Sequence, residues 1–155
     1  MQRILGIDPG LRVTGYGAAE VSGNALEPTL LEAGVIKLDH TLSIEQRLVQ
    51  LHRDLDELII ELTPTCVAVE KLFVHYRHPR TAILMAHARG VILLCAQQRD
   101  LSVEHLSSTE VKRAITGYGH ASKQQIQLAI QTQCRLSELP TPSDVADAIA
   151  IALAC

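Results

Sequence analysis

The stretch that decides the fold lies at the start of the chain: Arg3-Ile4-Leu5-Gly6-Ile7-Asp8-Pro9-Gly10. Its apolar run is typical of a buried strand, and the strand ends in a carboxylate followed by a Pro-Gly turn. A second strand is predicted beyond this turn, over residues 13–20, and a third over residues 30–38. Because the connections between the three strands are short, we expect an antiparallel meander.

The remaining sequence predicts alternating helices and strands. Residues 43–62 carry apolar side chains spaced three and four apart, which indicates a helix, and Ser43 with Gln46 resembles a capping box. The later predicted strands cover residues 66–70 and 103–106, and the later predicted helices cover residues 81–98, 109–115, 123–134 and 144–154. This order predicts an α/β fold with a mixed five-stranded sheet flanked by helices. The 155 residues fit a single domain spanning residues 1–155.

The composition argues against several classes of protein. Apolar residues make up 47% of the chain and charged residues 20%, which is typical of a globular rather than a disordered protein. No uncharged apolar run reaches about 18 residues, so we expect no membrane span. Strand-like sequence begins at once, so no signal peptide is expected. The cysteines form no CxxC pair, which indicates reduced core thiols in a cytoplasmic protein. They are Cys66, Cys95, Cys134 and Cys155.

The net charge of −3 hides a basic segment. Between Lys71 and Arg89 there are four Lys or Arg residues and no acid. The segment also contains aromatic rings, and cations mixed with rings are typical of a nucleic-acid contact. We therefore take Phe73, Arg77 and Arg80 as candidate DNA-binding residues. The alternative is a strand end with Phe73 packed into the core.

Four acids stand where a core would not normally accept them. Asp8 and Glu70 each end an apolar strand, and Asp144 and Asp147 interrupt an apolar helix on one of its faces. Two carboxylates about 5 Å apart repel by roughly 3 kcal/mol at an effective dielectric constant near 20. A cluster of four therefore needs protons or a cation, and an all-oxygen ligand set favours Mg²⁺, with Mn²⁺ as a substitute.

Each acid taken alone also has an ordinary explanation. Asp8 suits the turn at Pro9-Gly10, and Asp144 suits the first turn of a helix. Glu70 could pair with a neighbouring cation such as Lys71 or Arg113. Asp147 has the weakest ordinary explanation, because it lies inside a helix rich in Ala and Ile.

The helix over residues 82–96 is apolar nearly all round. A helix on a protein surface normally has one polar face, so this helix needs cover on two sides. The sheet covers one face of the helix, and the simplest way to cover the other face is a second copy of the chain. Ala86 and Gly90, four residues apart, would allow a partner helix to approach closely. The alternative is a helix buried entirely within one domain.

Five segments of the chain also resemble the motifs of a known family. They are Gly6-Ile7-Asp8-Pro9-Gly10 running on to Thr14-Gly15-Tyr16-Gly17, Val69-Glu70-Lys71-Leu72-Phe73, Ala88-Arg89-Gly90-Val91, residues 116–125 (TGYGHASKQQ) and Asp144-Val145-Ala146-Asp147-Ala148-Ile149-Ala150. In order and in content they are similar to the motifs of the RuvC family of Holliday junction resolvases. The resemblance covers nearly the whole chain.

This resemblance implies an RNase H-like fold, a homodimer and Mg²⁺-dependent cleavage of four-way DNA junctions in recombination and repair. It implies that Asp8, Glu70, Asp144 and Asp147 are the catalytic metal ligands. It further implies that Lys112 and Lys123 contact phosphate near the site, and that Phe73 meets unpaired bases at the crossover. A branch-migration helicase is implied as a partner.

The chain departs from the family pattern near the basic segment. The stretch from Phe73 to Arg89 is one residue longer than the resemblance leads us to expect, and His78 and Ala86 replace the usual Asn and Gly. Three other functions stay open at this point. One is another RNase H-like nuclease acting on RNA–DNA hybrids. Another is a phosphate-loop nucleotide-binding protein of the actin and sugar-kinase type. The third is a non-catalytic junction-binding module, which would not need four acids.

Overall fold

The computed structural model of the chain describes residues 2–21, 28–73 and 77–155. Its strands are β1 (Gln2–Asp8), β2 (Val13–Val21), β3 (Thr29–Lys37), β4 (Cys66–Glu70) and β5 (Ser102–Leu106). Its helices are α1 (Ile44–Leu62), α2 (Pro79–Gln98), α3 (Ser108–Thr116), α4 (Lys123–Gln133) and α5 (Ser143–Ala154). Every predicted element is present, so the predicted α/β fold is confirmed.

The five strands form one mixed sheet in the order β3-β2-β1-β4-β5. The first three strands pair antiparallel, which confirms the predicted meander. Strands β4 and β5 then add in parallel on the other side of β1. This order puts β1 in the centre, and Ile7 lies opposite Val69 of β4. The carboxyl ends of β1 and β4 therefore lie side by side.

Helices cover both faces of the sheet, and each face has its own aliphatic core. Leu5 and Ile7 of β1 pack with residues of α1 and α2 on one face. Ile4, one position away, packs with residues of α3, α4 and α5 on the other face. Neighbouring strand residues point to opposite sides, so odd and even positions of β1 belong to different cores.

Three helices begin with a capping box, which fixes the direction in which each leaves its loop. Ser43 and Gln46 form the predicted box at the start of α1. Ser107 does the same for α3, and Ser122 for α4. The latter two boxes matter for function, because α3 carries Lys112 and α4 begins at Lys123.

The cysteines follow the prediction only in part. All four are free thiols, and Cys66 and Cys95 are buried. Cys134 is half-buried and Cys155 is exposed. The prediction of core thiols is therefore wrong for Cys155, because this residue follows the last residue of α5 and is exposed there. Among the described residues, no helix is long and apolar enough to cross a membrane.

Candidate functional site

Strand alternation decides on which face Asp8 and Glu70 lie. Both occupy even positions, in register with Gly6 and Ala68, which form a cross-strand pair between β1 and β4. Ala68 belongs to the core beneath α5, and Gly6 lies directly against α5. Asp8 and Glu70 therefore project on the α5 side, from the adjacent carboxyl ends of two parallel strands.

Glycines in β1 and β2 bring α5 unusually close to the sheet. A Cβ atom added at Gly15 would lie 2.1 Å from the carbonyl oxygen of Asp144, and one added at Gly6 would lie 2.3 Å from that of Ala148. At Gly17 the nearest atom, in Ile149, would lie at 3.0 Å. At these glycines the helix lies directly on strand backbone, while Ile4 and Ala68 beside them contact it through side chains. This contact places Asp144 next to the strand that pairs with β1.

The structure brings all four acids together around Asp8. Burial, together with the charges of Asp147, Asp144 and Glu70, raises the pKa of Asp8 from 3.8 to about 7, and the charge of Lys123 acts in the opposite direction. Each of these acids is thus close enough to disfavour the charge on Asp8. The ordinary explanation of Asp8 as a turn residue leaves this crowding unexplained.

Glu70 and Asp147 are perturbed in the same direction. Burial and then the charge of Asp147 raise the pKa of Glu70, and Lys112 lowers it. Burial raises the pKa of Asp147, with Lys123 and Lys112 acting against it. Carboxylates with raised pKa values that share a cleft are typical of a functional site, since a folding protein gains nothing from such repulsion.

The cluster tests well as a cation site by its chemistry. Its donors are carboxylate oxygens alone, the ligand type that Mg²⁺ and Mn²⁺ favour. Across residues 2–21, 28–73 and 77–155, however, no three His, Cys, Asp or Glu side chains form a ready-made metal cage. The four acids surround the cleft instead of closing on one point. Four carboxylates in one cleft repel one another, and a bound cation would replace that repulsion with attraction.

Two lysines stand at the edge of the same cleft. A cavity of about 220 Å³ is lined by Glu70, Asp147, Ser108, Lys112 and Lys123, together with apolar residues. The Nζ atom of Lys123 lies 4.0 Å from Oδ2 of Asp147. Both predicted lysines therefore face the acids, as a cation beside a cleaved phosphate should.

The ordinary explanation of Phe73 does not hold, and neither does the pairing of Glu70 with Lys71. Phe73 is 79% exposed, so the alternative that packed it into the core is wrong. It lines a depression shared with Asp8 and Glu70. Lys71, the proposed partner of Glu70, instead lies 3.9 Å from Glu110. Its backbone continues the sheet, so its side chain points away from Glu70.

The predicted DNA-binding arginines flank the start of α2. Arg80 is exposed in the first turn of the helix, and Arg77 is exposed just before it. Residues 74–76, which lie between Phe73 and Arg77, are outside the described residues.

Sequence reasoning missed two arginines at the site. Arg12 and Arg47 line a wide groove that also contains Asp8, Asp144 and Asp147. The Nη1 atom of Arg47 donates a hydrogen bond of 3.1 Å to the carbonyl of Leu11, and so ties α1 to the turn after Asp8. Arg12 could have been noticed from its place in that turn. Arg47 sits in an ordinary helical pattern that gives no signal.

Carboxylates at the ends of the central strands, joined by acids from a helix laid over them, define an RNase H-like domain with a nuclease-type site. Comparison with known proteins makes the assignment more specific. The family model described as crossover junction endodeoxyribonuclease RuvC matches residues 4–155. The chain therefore belongs to the RuvC family of crossover junction endodeoxyribonucleases, which hydrolyse phosphodiester bonds.

Individual relatives agree over nearly the full chain. Crossover junction endodeoxyribonuclease RuvC from Rhodopirellula baltica is 49% identical over 150 residues, covering 97% of this chain and 83% of that protein. The protein of the same name from Heliobacterium modesticaldum is 45% identical, covering 98% and 92%. The structure of T. thermophilus RuvC in complex with Holliday junction substrate superposes with a TM-score of 0.91 at 34% identity, covering 99% and 92%.

Proposed function

We propose that this protein resolves four-way (Holliday) DNA junctions in recombination and repair, by metal-dependent hydrolysis at the cluster of Asp8, Glu70, Asp144 and Asp147. The observation that carries the proposal is the meeting of these four acids at the ends of β1 and β4, under the first turns of α5. Resemblance of fold alone would not carry it, since related folds serve many functions.

The chemistry divides between the ions and the side chains. The four carboxylates would hold Mg²⁺, or Mn²⁺ in its place, which would supply an activated water and positive charge to offset that of the phosphate. The carboxylates fix where the cation sits. Lys112 and Lys123 supply positive charge at the cleft edge, where they bind the phosphate and stabilise charge that builds in the transition state.

The junction itself is held outside the acidic cleft. Arg77 and Arg80 are exposed cations that suit phosphate contacts of the junction arms. Phe73 projects beside the depression at Glu70, where its ring suits stacking on an unpaired base at the crossover. Solved relatives include a resolvase bound to such a junction, which supports this substrate over an RNA–DNA hybrid.

The protein acts as a homodimer in this proposal. One face of α2 packs into the core through Ala88 and Ile92, whereas the opposite face is exposed. That exposed face is Ile83, Ala86, His87, Gly90 and Leu94. The alternative of a helix buried entirely within one domain is therefore wrong. A Cβ added at Gly90 meets nothing within 4 Å, so a second α2 helix can approach closely. A two-fold dimer presents two identical sites to opposing strands of a junction.

Two further parts of the proposal rest on family membership. A branch-migration helicase delivers the junction, and the reaction takes place in the cytoplasm. The four free thiols agree with a reducing compartment.

Cleavage of three labelled substrates tests the proposed activity: a four-way junction, a linear duplex of the same sequence and an RNA–DNA hybrid, each with and without Mg²⁺. We expect cleavage of the junction alone, only with Mg²⁺. Glu70→Gln and Asp147→Asn should each abolish cleavage while leaving junction affinity within about twofold, because binding rests on phosphate contacts. Asp39→Asn is the control, since that carboxylate bonds within its own turn to Thr41. Equal cleavage of hybrid and junction would refute the substrate, and ATP hydrolysis without cleavage would favour the nucleotide-binding alternative.

Light scattering combined with a nicking assay tests the dimer. The test variant is Leu94→Asp, at a residue that is 53% exposed on the outer face of α2. The control is Ile60→Asp on α1, which introduces the same charge at an apolar residue of similar exposure, 55%. We expect Leu94→Asp to become monomeric and to leave nicked junctions, whereas Ile60→Asp stays dimeric and cuts both strands. Ile92 is unsuitable for this test, because it is fully buried and its replacement would break the core. A monomeric Leu94→Asp variant that still cuts both strands in one encounter would contradict the proposal.

A further inference from the structure

Arg89 of α2 reaches across to the strand end that carries Glu70. Its Nε atom donates a hydrogen bond of 3.2 Å to the main-chain carbonyl of Glu70. Its Nη2 atom bonds to the Nδ1 atom of His105 on β5. His105 is the cross-strand neighbour of Val69, which directly precedes Glu70. One guanidinium thus links three elements, α2, β4 and β5, at the border of the acidic cleft.

The base of this side chain is firmly held. Ala88, the preceding residue, and Ile92, one turn later, are both fully buried in the core between α2 and the sheet. Arg89 itself is half-buried and lines the depression that also contains Asp8, Glu70 and Phe73. A planar guanidinium donating from two fixed nitrogens defines both a distance and an orientation, which a flexible ammonium does not.

The bonded carbonyl belongs to the last residue of β4. Beyond it, the amide of Lys71 makes one more bond to β5, at 2.7 Å from the carbonyl of Leu106, and the chain then leaves the sheet towards Phe73. The peptide plane after Glu70 is thus held at both ends, at its N–H by the carbonyl of Leu106 and at its C=O by Arg89. The position of the Glu70 carboxylate follows from that plane, because both leave the same Cα atom.

We propose that Arg89 is the positioning residue of Glu70: by holding the carbonyl it sets the carboxylate where a cation can use it, with His105 orienting the guanidinium. This inference rests on the proposed function, in which Glu70 is a cation ligand. Partners that orient ligands in this way typically affect metal affinity or activity by about 10- to 100-fold. The charges that shift the pKa of Glu70 are those of Asp147 and Lys112, so the effect of Arg89 runs through geometry.

The arrangement also connects the site to the outer face of α2. Arg89 lies between Ala88 on the buried face and Gly90 on the exposed face. A displacement of α2 by a docked partner therefore moves the anchor of Glu70 directly.

The test measures the Mg²⁺ concentration that gives half-maximal single-turnover cleavage, with Mn²⁺ binding followed by calorimetry without DNA. Arg89→Ala should raise both the half-saturating Mg²⁺ concentration and the Mn²⁺ dissociation constant about tenfold or more, with junction affinity unchanged. Arg89→Lys, which retains one donor, should recover part of the loss. His105→Ala should show a smaller loss, and His105→Asn, which keeps an acceptor, should restore it.

Arg99→Ala is the matched control. Arg99 lies at the other end of α2 and also makes two side-chain bonds, both to Asp56 at 2.6 Å. It should alter thermal stability without altering Mg²⁺ dependence. A purely structural role for Arg89 would give the same result, so unchanged Mg²⁺ dependence in folded Arg89→Ala overturns the inference. If Arg89→Ala does not fold, the Mg²⁺ dependence of Arg89→Lys and His105→Ala tests the inference instead, and unchanged Mg²⁺ dependence in both overturns it.

Glu70→Gln separates this inference from the proposed function. If Glu70→Gln is inactive and Arg89→Ala behaves like wild type, only the positioning role fails. If Glu70→Gln cleaves junctions normally, Glu70 is no ligand and the proposed function fails with the inference.

Discussion

Replacing Asp8 by Asn should make the metal-free protein more stable while it destroys cleavage. Asp8 is held in its charged form only against burial and against three other acids. Asn has nearly the same size and shape but no charge, so it removes the repulsion without leaving a cavity. Catalytic need and folding stability therefore oppose each other at this position.

The pKa of Asp8 gives both the size and the pH range of the effect. A folded-state pKa of about 7 lies above the ordinary value of 3.8, so the folded protein binds the proton more tightly than the unfolded chain does. The free energy of unfolding therefore falls as pH rises from about 4 to 7, and the full cost is present above pH 7. A pKa displaced this far corresponds to about 4 kcal/mol, which is an upper bound because the neighbouring acids can move apart or take up protons.

Urea unfolding in EDTA, followed by circular dichroism at pH 4, 6 and 8, checks this expectation. The stability gain of Asp8→Asn should be below about 1 kcal/mol at pH 4 and should grow to as much as about 4 kcal/mol at pH 8. Adding Mg²⁺ should stabilise the wild type and not the variant. Asp39→Asn is the control of opposite sign, because hydrogen bonds from Thr41 lower the pKa of that carboxyl. A variant less stable than wild type at pH 8, or a gain that does not change with pH, would refute the reasoning.

Two other predictions follow from the helix contact and the lysines. Gly15→Ala forces a Cβ to within 2.1 Å of the Asp144 carbonyl, so it should cost about 1–3 kcal/mol or more in urea unfolding and abolish cleavage. Gly17→Ala meets Ile149 at 3.0 Å and should cost less, and equal losses would contradict the contact. Lys112→Ala and Lys123→Ala should each slow saturated single-turnover cleavage by up to about 100-fold. Losses confined to junction affinity would make both lysines ordinary phosphate contacts.

The sequence predicts the architecture well because its patterns are local. Helix α1 has an unbroken three-and-four spacing and a capping box, and each is recognisable without knowledge of the rest of the chain. The bounds of all ten elements differ from the predictions by at most two residues. Departures are limited to element ends, where α2 starts at Pro79 because proline is readily accepted in the first turn of a helix.

In the candidate site, too, the features with a local pattern could be predicted and those that depend on tertiary contacts could not. The four acids could be predicted because each interrupts an apolar run, and an interruption is visible in the sequence. The contact of α5 with the strand backbone was not foreseen, because Gly15 and Gly17 look like ordinary turn-forming or weak strand residues. Arg89 was noted as a basic residue and as part of a family-like segment, but its bond from α2 to the Glu70 carbonyl could not be predicted, because that bond depends on how helix and sheet meet. The distances between helices and strands depend on tertiary packing, which a local sequence pattern does not specify.

The bare contact between α5 and the central strands has a consequence for how sequences of this kind can diverge. In most α/β layers, interlocking side chains separate a helix from its sheet, and each substitution there shifts the helix slightly. Here, Gly6 and Gly15 let main chain meet main chain, so at these two positions no side chain separates α5 from β1 and β2. The aliphatic residues on the opposite face of the sheet are then free to exchange among one another, while the spacing between the strand acids and the helix acids stays constant. Substitutions in the core therefore need not change the geometry of the cleft. Gly6 and Gly15 hold that geometry, because a side chain at either position would push α5 away from the strands.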